Sequence, residues 1–198
     1  MTRLILASES PRRREIMASI GIEFEAVPSG ITEKTVPGET PRGTARRLAE
    51  EKALAVSLRL PDALVIGADT VVDLDGRLLS KPRDRADARL MIDMLNGRPH
   101  LVHTGIAAAF GGVVTASETE TTKVFFGDLR PDEIEEFIAS GLGDDKAGAY
   151  AIQGRGAMLV ERIEGCYCNV VGLPAYRLKK MLERLAPEII GPLKNPSR

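Results

Sequence analysis

The chain has 198 residues, 27 basic against 28 acidic side chains for a formal charge of −1, 43% hydrophobic residues, 4% aromatic residues and no tryptophan. A chain of this length buries a sizeable core, which excludes disorder and mini-folds that depend on disulfide or metal staples. The charge balance argues against a protein drawn as a whole to nucleic acid or an anionic membrane, and the scarcity of aromatics against a base-stacking single-strand binder, leaving a small-molecule enzyme as the starting expectation.

Leu4 to Ala7 reads as a short buried strand. Ser8-Glu9-Ser10 turns, and Pro11 suits the first position of a helix reaching Ile20 before Gly21. The apolar run is too short for a signal peptide, and Arg12-Arg13-Arg14 follows it instead of preceding it, so no export by that route is expected. Glu23 to Val27 alternates like a second strand, and Pro28 to Thr40, rich in Pro, Gly and Thr, reads as an exposed loop containing Glu33. Thr40-Pro41 opens a long helix whose apolar face carries Ala45, Leu48, Ala49, Val56 and Leu60.

Ala63 to Ala68 reads as a strand ending at Asp69, with a hairpin turn at Asp75-Gly76. A helix is expected from Asp84 to Asn96-Gly97, then strands from His100 to Phe110 and Val113 to Phe126 joined at Gly111-Gly112, and a short helix from Pro131 to Ser140. Gly141 to Gly156 reads as loop, Ala157 to Ile163 as strand and Pro174 to Leu185 as an amphipathic helix, with Pro187, Pro192 and Pro196 marking a frayed tail. The stretch from Gly105 to Val114 is too short to span a bilayer. Early strand–helix alternation combined with antiparallel hairpins predicts an α/β fold with a mixed sheet flanked by helices, in one compact unit.

Several residues have the chemistry of a phosphate-binding site. Ser8, Ser10, Arg12 and Arg13 at a helix start supply hydroxyls, guanidinium groups and free N–H groups for phosphate, although a helix cap beside a solvated charge run fits the same spacing and is the commoner outcome. Asp69 at a strand end and Glu33 in its loop can share a divalent ion that also takes water and phosphate oxygens; a turn-forming Asp and a surface Glu are the plain alternatives. Lys81, extended before Pro82, offers a point charge or is an ordinary surface lysine. Lys52 falls near the apolar face of its helix, which is costly unless it enters a polar cleft. Gln153, in a Gly-flanked turn, offers an amide to a ligand or simply precedes a strand. His100, His103 and the two cysteines, Cys166 and Cys168, read as structural; the cysteines have no second pair for a zinc site or disulfide framework and suit a reducing cytoplasm. No P-loop or dinucleotide fingerprint is present.

Taken in order, Leu4-Ile5-Leu6-Ala7-Ser8-Glu9-Ser10-Pro11-Arg12-Arg13, Gly67-Ala68-Asp69-Thr70-Val71-Val72, Lys81-Pro82-Arg83-Asp84, Ala147-Gly148-Ala149-Tyr150-Ala151-Ile152-Gln153-Gly154 and Val171-Gly172-Leu173-Pro174 resemble the Maf family of nucleoside triphosphate pyrophosphatases. The resemblance runs through residues 1–185, leaving 186–198 as a Pro-containing tail. It implies a twisted mixed sheet like that of the inosine triphosphate pyrophosphatases, two lobes around a cleft and often a homodimer; with the cysteine usage, charge balance and scarce aromatics, a cytoplasmic protein with no nucleic-acid or membrane partner is expected. It also implies hydrolysis of a nucleoside triphosphate to monophosphate and pyrophosphate with Mg2+ or Mn2+.

Carried over by motif, Asp69 is the proton acceptor, Glu33 and Asp69 hold the metal, and Ser8, Arg13, Lys52 and Lys81 line the phosphate path. Arg12, Thr70 and Gln153 stand where the dTTP- and UTP-preferring branch is separated from the 7-methyl-GTP branch, which carries Trp, Gln and Glu there. This sequence follows the pyrimidine branch at all three. Because the family is also linked with arrest of division and septum formation, a nucleotide-sensing regulator acting through a protein partner stands as the alternative. The complete set of Asp69, Glu33 and Lys81 favours the enzyme.

Overall fold

The computed structural model describes residues 2–191. A seven-stranded mixed sheet forms its centre: β1 (Leu4–Ala7), β2 (Glu25–Ala26), β3 (Leu64–Leu74), β4 (Arg77–Leu79), β5 (Pro99–Phe110), β6 (Val113–Phe126) and β7 (Val160–Glu164). The strand order is β2-β1-β3-β5-β6-β7, with β4 also paired to β3. β2, β1 and β3 run parallel, and the remaining pairings are antiparallel. Six helices flank the sheet: α1 (Pro11–Ser19), α2 (Pro41–Ser57), α3 (Arg85–Leu95), α4 (Pro131–Ala139), α5 (Tyr167–Val171) and α6 (Ala175–Leu185). None of the described helices is long and apolar enough to cross a membrane.

The expected mixed α/β architecture is therefore observed, with five differences, one of them α5, a helix in a stretch where no element is expected. β3 does not stop at Asp69: it continues to Leu74, because the β-branched Thr70, Val71 and Val72 extend it and β5 pairs with it throughout, Asp69 lying opposite Gly105. The second strand shrinks to Glu25–Ala26, the only residues in register with β1. The strand expected from Ala157 begins at Val160, because Gly154–Leu159 winds into a 3-10 turn. Of the tail, Pro187–Ile189 forms a 3-10 turn, with Ala186 buried and Ile189 and Ile190 packed on the core; Pro192 and Pro196 lie outside the described residues.

One edge of β3 is shared by two short strands. β1 pairs with Leu64 to Gly67 and β4 with Val72 to Leu74, so Ala68 to Val71 have no strand neighbour on that edge. The break divides the molecule into two lobes around a cleft. On one side, β1, α1 and α6 bury Leu6, Met17, Leu178 and Leu182, while Ile5, Ala49, Ala53 and Val65 pack beneath α2. On the other, α3, α4 and the ends of β3, β5 and β6 bury Val72, Ile92, Leu95 and Phe126. The histidines are structural: His100 Nε2 meets Tyr150 Oη at 2.6 Å, and His103 lies between Asp73 Oδ2 (3.1 Å) and Thr121 Oγ1 (2.9 Å).

α2 sits unusually close to the sheet. A Cβ on Gly67 would lie 2.2 Å from the Ala49 carbonyl oxygen, and one on Gly105 would lie 2.2 Å from that of Ala45, both backbone atoms that cannot turn aside. The two glycines thus set the depth at which this helix rests. Gly105→Ala is expected to lift α2 and destabilise the fold by about 3 kcal/mol or more in urea unfolding; a variant as stable as the parent would show that this contact yields.

Candidate active site

The break in the β3 edge opens into a cleft of 820 Å³ whose lining includes Ser8, Arg12, Arg13, Glu33, Lys52, Asp69, Thr70, Lys81 and Gln153. All the residues singled out from the sequence therefore meet in one place. Such a volume lies within the usual range for small-molecule sites. Ser8, Arg12 and Arg13 come from the end of β1 and the start of α1; Asp69 and Thr70 form the floor; Lys81 and Gln153 belong to the opposite lobe.

Lys52 is the pivot. It sits on the buried face of α2, is only 8% exposed, and its Nζ lies 2.5 Å from Asp69 Oδ1 and 2.6 Å from Glu33 Oε1. An ammonium taken so far from water needs partners, and the two carboxylates provide them. Asp69 reaches it because odd-numbered β3 residues face α2; Glu33 is carried by the loop after β2, its side chain 50% exposed. Burial pushes the Asp69 carboxyl above the ordinary aspartate range, with Lys52 and Arg13 pulling it back only in part. Glu33 is held below its ordinary range: burial opposes ionisation, but Lys52, then Lys81 and Arg13, outweigh it. The two carboxyls are thus shifted in opposite directions, Asp69 up and Glu33 down.

Arg13 lies on the other side of the floor. Its Nε donates to the Gly172 carbonyl at 2.8 Å, Nη1 to Ser8 Oγ at 3.2 Å and Nη2 to Thr70 Oγ1 at 3.1 Å. Burial lowers its pKa, and Asp69 and Glu33 counter that. The arginine run is therefore not uniformly a solvated face. Ser10 makes no side-chain cap bond, while Ser8 Oγ accepts from the Ser10 backbone at 3.2 Å. Lys81 is exposed on the wall, whereas Arg12 and Gln153 are partly buried.

Lys146 also lines the cleft, paired with Asp145. It stands in the polar, Gly-rich stretch where composition alone marks no single lysine. Beneath the floor, Thr104 and Asn169 are fully buried polar residues. The signal for Thr104 was a lone hydroxyl inside the apolar β5 run.

Two carboxylates converging on one cation are hard oxygen donors of the kind Mg2+ or Mn2+ takes together with water and phosphate oxygens. No group of three or more His, Cys, Asp or Glu side chains suited to a metal exists among the described residues; Glu33 and Asp69 are the carboxylates that could be offered to one in this cleft. The residues fit a divalent ion held between protein and polyphosphate.

The sequence pattern of the family described as "Maf-like protein" matches residues 3–185. A protein named dTTP/UTP pyrophosphatase from Syntrophomonas wolfei is 45% identical over 186 residues, covering 93% of this chain and 98% of that protein. One of the same name from Geobacter metallireducens is 50% identical over 176 residues, covering 87% of this chain and 91% of that one. Among solved structures, the Ham1 protein of Staphylococcus aureus aligns with a TM-score of 0.47 at 15% identity, over 64% of this chain and 73% of that chain.

Replacing Lys52 by Met leaves Asp69 and Glu33 without their shared cation, at an expected cost of about 3 kcal/mol near pH 8. Both carboxyl pKa values then rise in the folded state, which gains protons relative to the unfolded chain as pH falls. The stability gap between Lys52→Met and the parent should therefore narrow from pH 8 to pH 5 in urea titrations. A gap that widens on acidification would contradict the pairing.

Proposed function

We propose that this chain, which belongs to the Maf-like protein family, hydrolyses dTTP and UTP to the nucleoside monophosphate and pyrophosphate. The observation that carries the reading is the buried Lys52–Asp69–Glu33 cluster on the floor of a cleft walled by Arg12, Arg13 and Lys81. Relatives named dTTP/UTP pyrophosphatase, matched over nearly their whole length, support the substrate class.

A triphosphate brings about four negative charges into a site that must offset them. Arg13, locked by three protein acceptors, offers its remaining donors to phosphate oxygens, and Lys81 and Arg12 add charge from the cleft walls. Lys52 engages Asp69 Oδ1, leaving Oδ2 without a hydrogen bond among the described residues and able to take a proton from an attacking water. The raised pKa of Asp69 makes it a better acceptor than an ordinary aspartate. Glu33 and Asp69 would hold a divalent cation, which would neutralise phosphate charge and acidify water.

At the cleft wall, Gln153 presents a side-chain donor and acceptor that match the O4 and N3–H edge of uracil or thymine. Arg12 and Thr70 complete the set that separates pyrimidine from 7-methylguanine substrates. The same reading takes residues 1–185 as a single pyrophosphatase domain, with residues 186–198 following it. It acts as a cytoplasmic homodimer on a free nucleotide, with no nucleic-acid or membrane partner. The family match over residues 3–185 supports the domain assignment.

The test is pyrophosphate release with Mg2+ or Mn2+ across dTTP, UTP, CTP, GTP, ATP and 7-methyl-GTP. Turnover is expected on dTTP and UTP, and to fall at least on the order of 10²-fold in a folded Asp69→Asn variant; no turnover of either nucleotide by the folded parent would overturn the reading. Gln153→Glu, which removes the amide donor, should depress dTTP and UTP turnover selectively. Equal loss on every nucleotide the parent accepts would take Gln153 out of base recognition.

A further inference from the structure

From the cleft floor downward, a chain of two hydroxyls, the half-buried Thr70 and the fully buried Thr104, ends on the Arg13 guanidinium, and its proton directions follow from chemistry alone. Thr104 Oγ1 lies 2.8 Å from the Asn169 carbonyl oxygen, which can only accept, so Thr104 commits its single proton there. Thr70 Oγ1 lies 2.9 Å from Thr104 Oγ1 and must therefore donate to it. Having donated, Thr70 accepts from Arg13 Nη2 at 3.1 Å, a group that can only donate. The chain runs in one direction, from Arg13 through Thr70 and Thr104 to the Asn169 backbone.

Its far end is rigid. Asn169 is fully buried in α5, and its amide nitrogen donates to the Val102 carbonyl and to Thr122 Oγ1, both at 2.9 Å. α5 is followed by Gly172, whose carbonyl accepts from Arg13 Nε at 2.8 Å. Two arms of the guanidinium are thus referred to the same short helix, one directly and one through the two threonines. A planar fork held at two edges has its remaining donors fixed in direction.

We infer that Thr104, 0% exposed and lying beneath Thr70, is a positioning residue of the polyphosphate site: by accepting the Thr70 proton it keeps the Thr70 lone pair turned to Arg13 and so fixes the guanidinium that grips phosphate. The influence of position 70 on substrate choice then runs through Arg13. This rests on the reading of the cleft as a nucleoside triphosphate site.

The experiment compares Thr104→Val, nearly isosteric but without the hydroxyl, with Thr104→Ser, each checked for folding by thermal unfolding. Thr104→Val is expected to raise KM on the order of tenfold, as loss of one hydrogen bond to a charged group does, with kcat within about threefold of the parent, and Thr104→Ser to restore KM. In an Arg13→Lys background, Thr104→Val should add no further loss, because the group it orients is gone. Should Thr104→Val fail to fold, Thr104→Cys, of similar size and with only a weak sulfur acceptor in place of the hydroxyl, is judged by the same ratios.

Parental turnover of dTTP and UTP tests the underlying reading. The variants are compared on whichever triphosphate the parent hydrolyses, and again by calorimetric affinity for inorganic triphosphate, which needs no turnover. An unchanged KM and affinity in folded Thr104→Val, or losses that multiply with those of Arg13→Lys, would overturn the inference.

Discussion

The structure depends on one buried ammonium. Lys52 has left water, and a charge in that position is tolerated only where opposite charge meets it. Both partners come from elsewhere in the chain: Asp69 from the middle of β3 and Glu33 from an otherwise irregular loop. Neither distance would hold if α2 rode higher, and it rests low because Gly67 and Gly105 place no side chain between helix and sheet. Small residues in the sheet, a lysine among the alanines of the helix and a carboxylate in an apolar strand are therefore three parts of one arrangement. The cluster of one cation and two anions faces a cleft whose walls carry Arg12, Arg13, Lys34, Lys81 and Lys146 against Glu9 and Asp145, which suits a site sharing a divalent cation with a polyphosphate.

The split edge of β3 creates the space for that chemistry. Because the pairing of β3 with β1 ends at Gly67 and its pairing with β4 begins at Val72, the part of β3 between them offers Asp69 and Thr70 to a cleft instead of to a neighbouring strand. The two lobes then contribute cations from opposite directions, Arg12 and Arg13 from one and Lys81 and Lys146 from the other. A substrate bridging the walls brings distant parts of the chain under one electrostatic field. Arg13 is the most firmly set of these groups, with three named acceptors. Preorganised charge of this kind does not have to reorient during reaction, which is the main electrostatic advantage of an enzyme over water.

Much of this was legible in the residues, for identifiable reasons. Pro11, Pro41, Asp84 and the Asp75-Gly76 turn are strong local signals, and the three helix starts and the hairpin turn appear where expected. Lys52 stood out because a charge near the apolar side of a helix needs a partner. The misjudged end of β3 has the same physics in reverse: a carboxylate after five apolar residues looks like a strand end only while its partner on another element is unknown. Glu33 in its loop carries no periodic signal, and its place depended on family resemblance. The threonine chain was hidden because threonine is an ordinary strand residue, and only the fold reveals that Thr104 faces Asn169 across the layer. Lys146 sits in a turn whose Gly-rich composition does not distinguish one lysine from another.

On the proposed reading, Asp69, raised by burial against the pull of Lys52 and Arg13, is the proton acceptor of the cleft. Titration of the Asp69 carboxyl by carbon-detected NMR, set beside the acid limb of kcat/KM for dTTP, tests this role. The expected result is an Asp69 midpoint above that of an ordinary aspartate and an acid limb that coincides with it. A carboxyl titrating at or below the ordinary aspartate value, or an acid limb that does not follow it, removes Asp69 from that role.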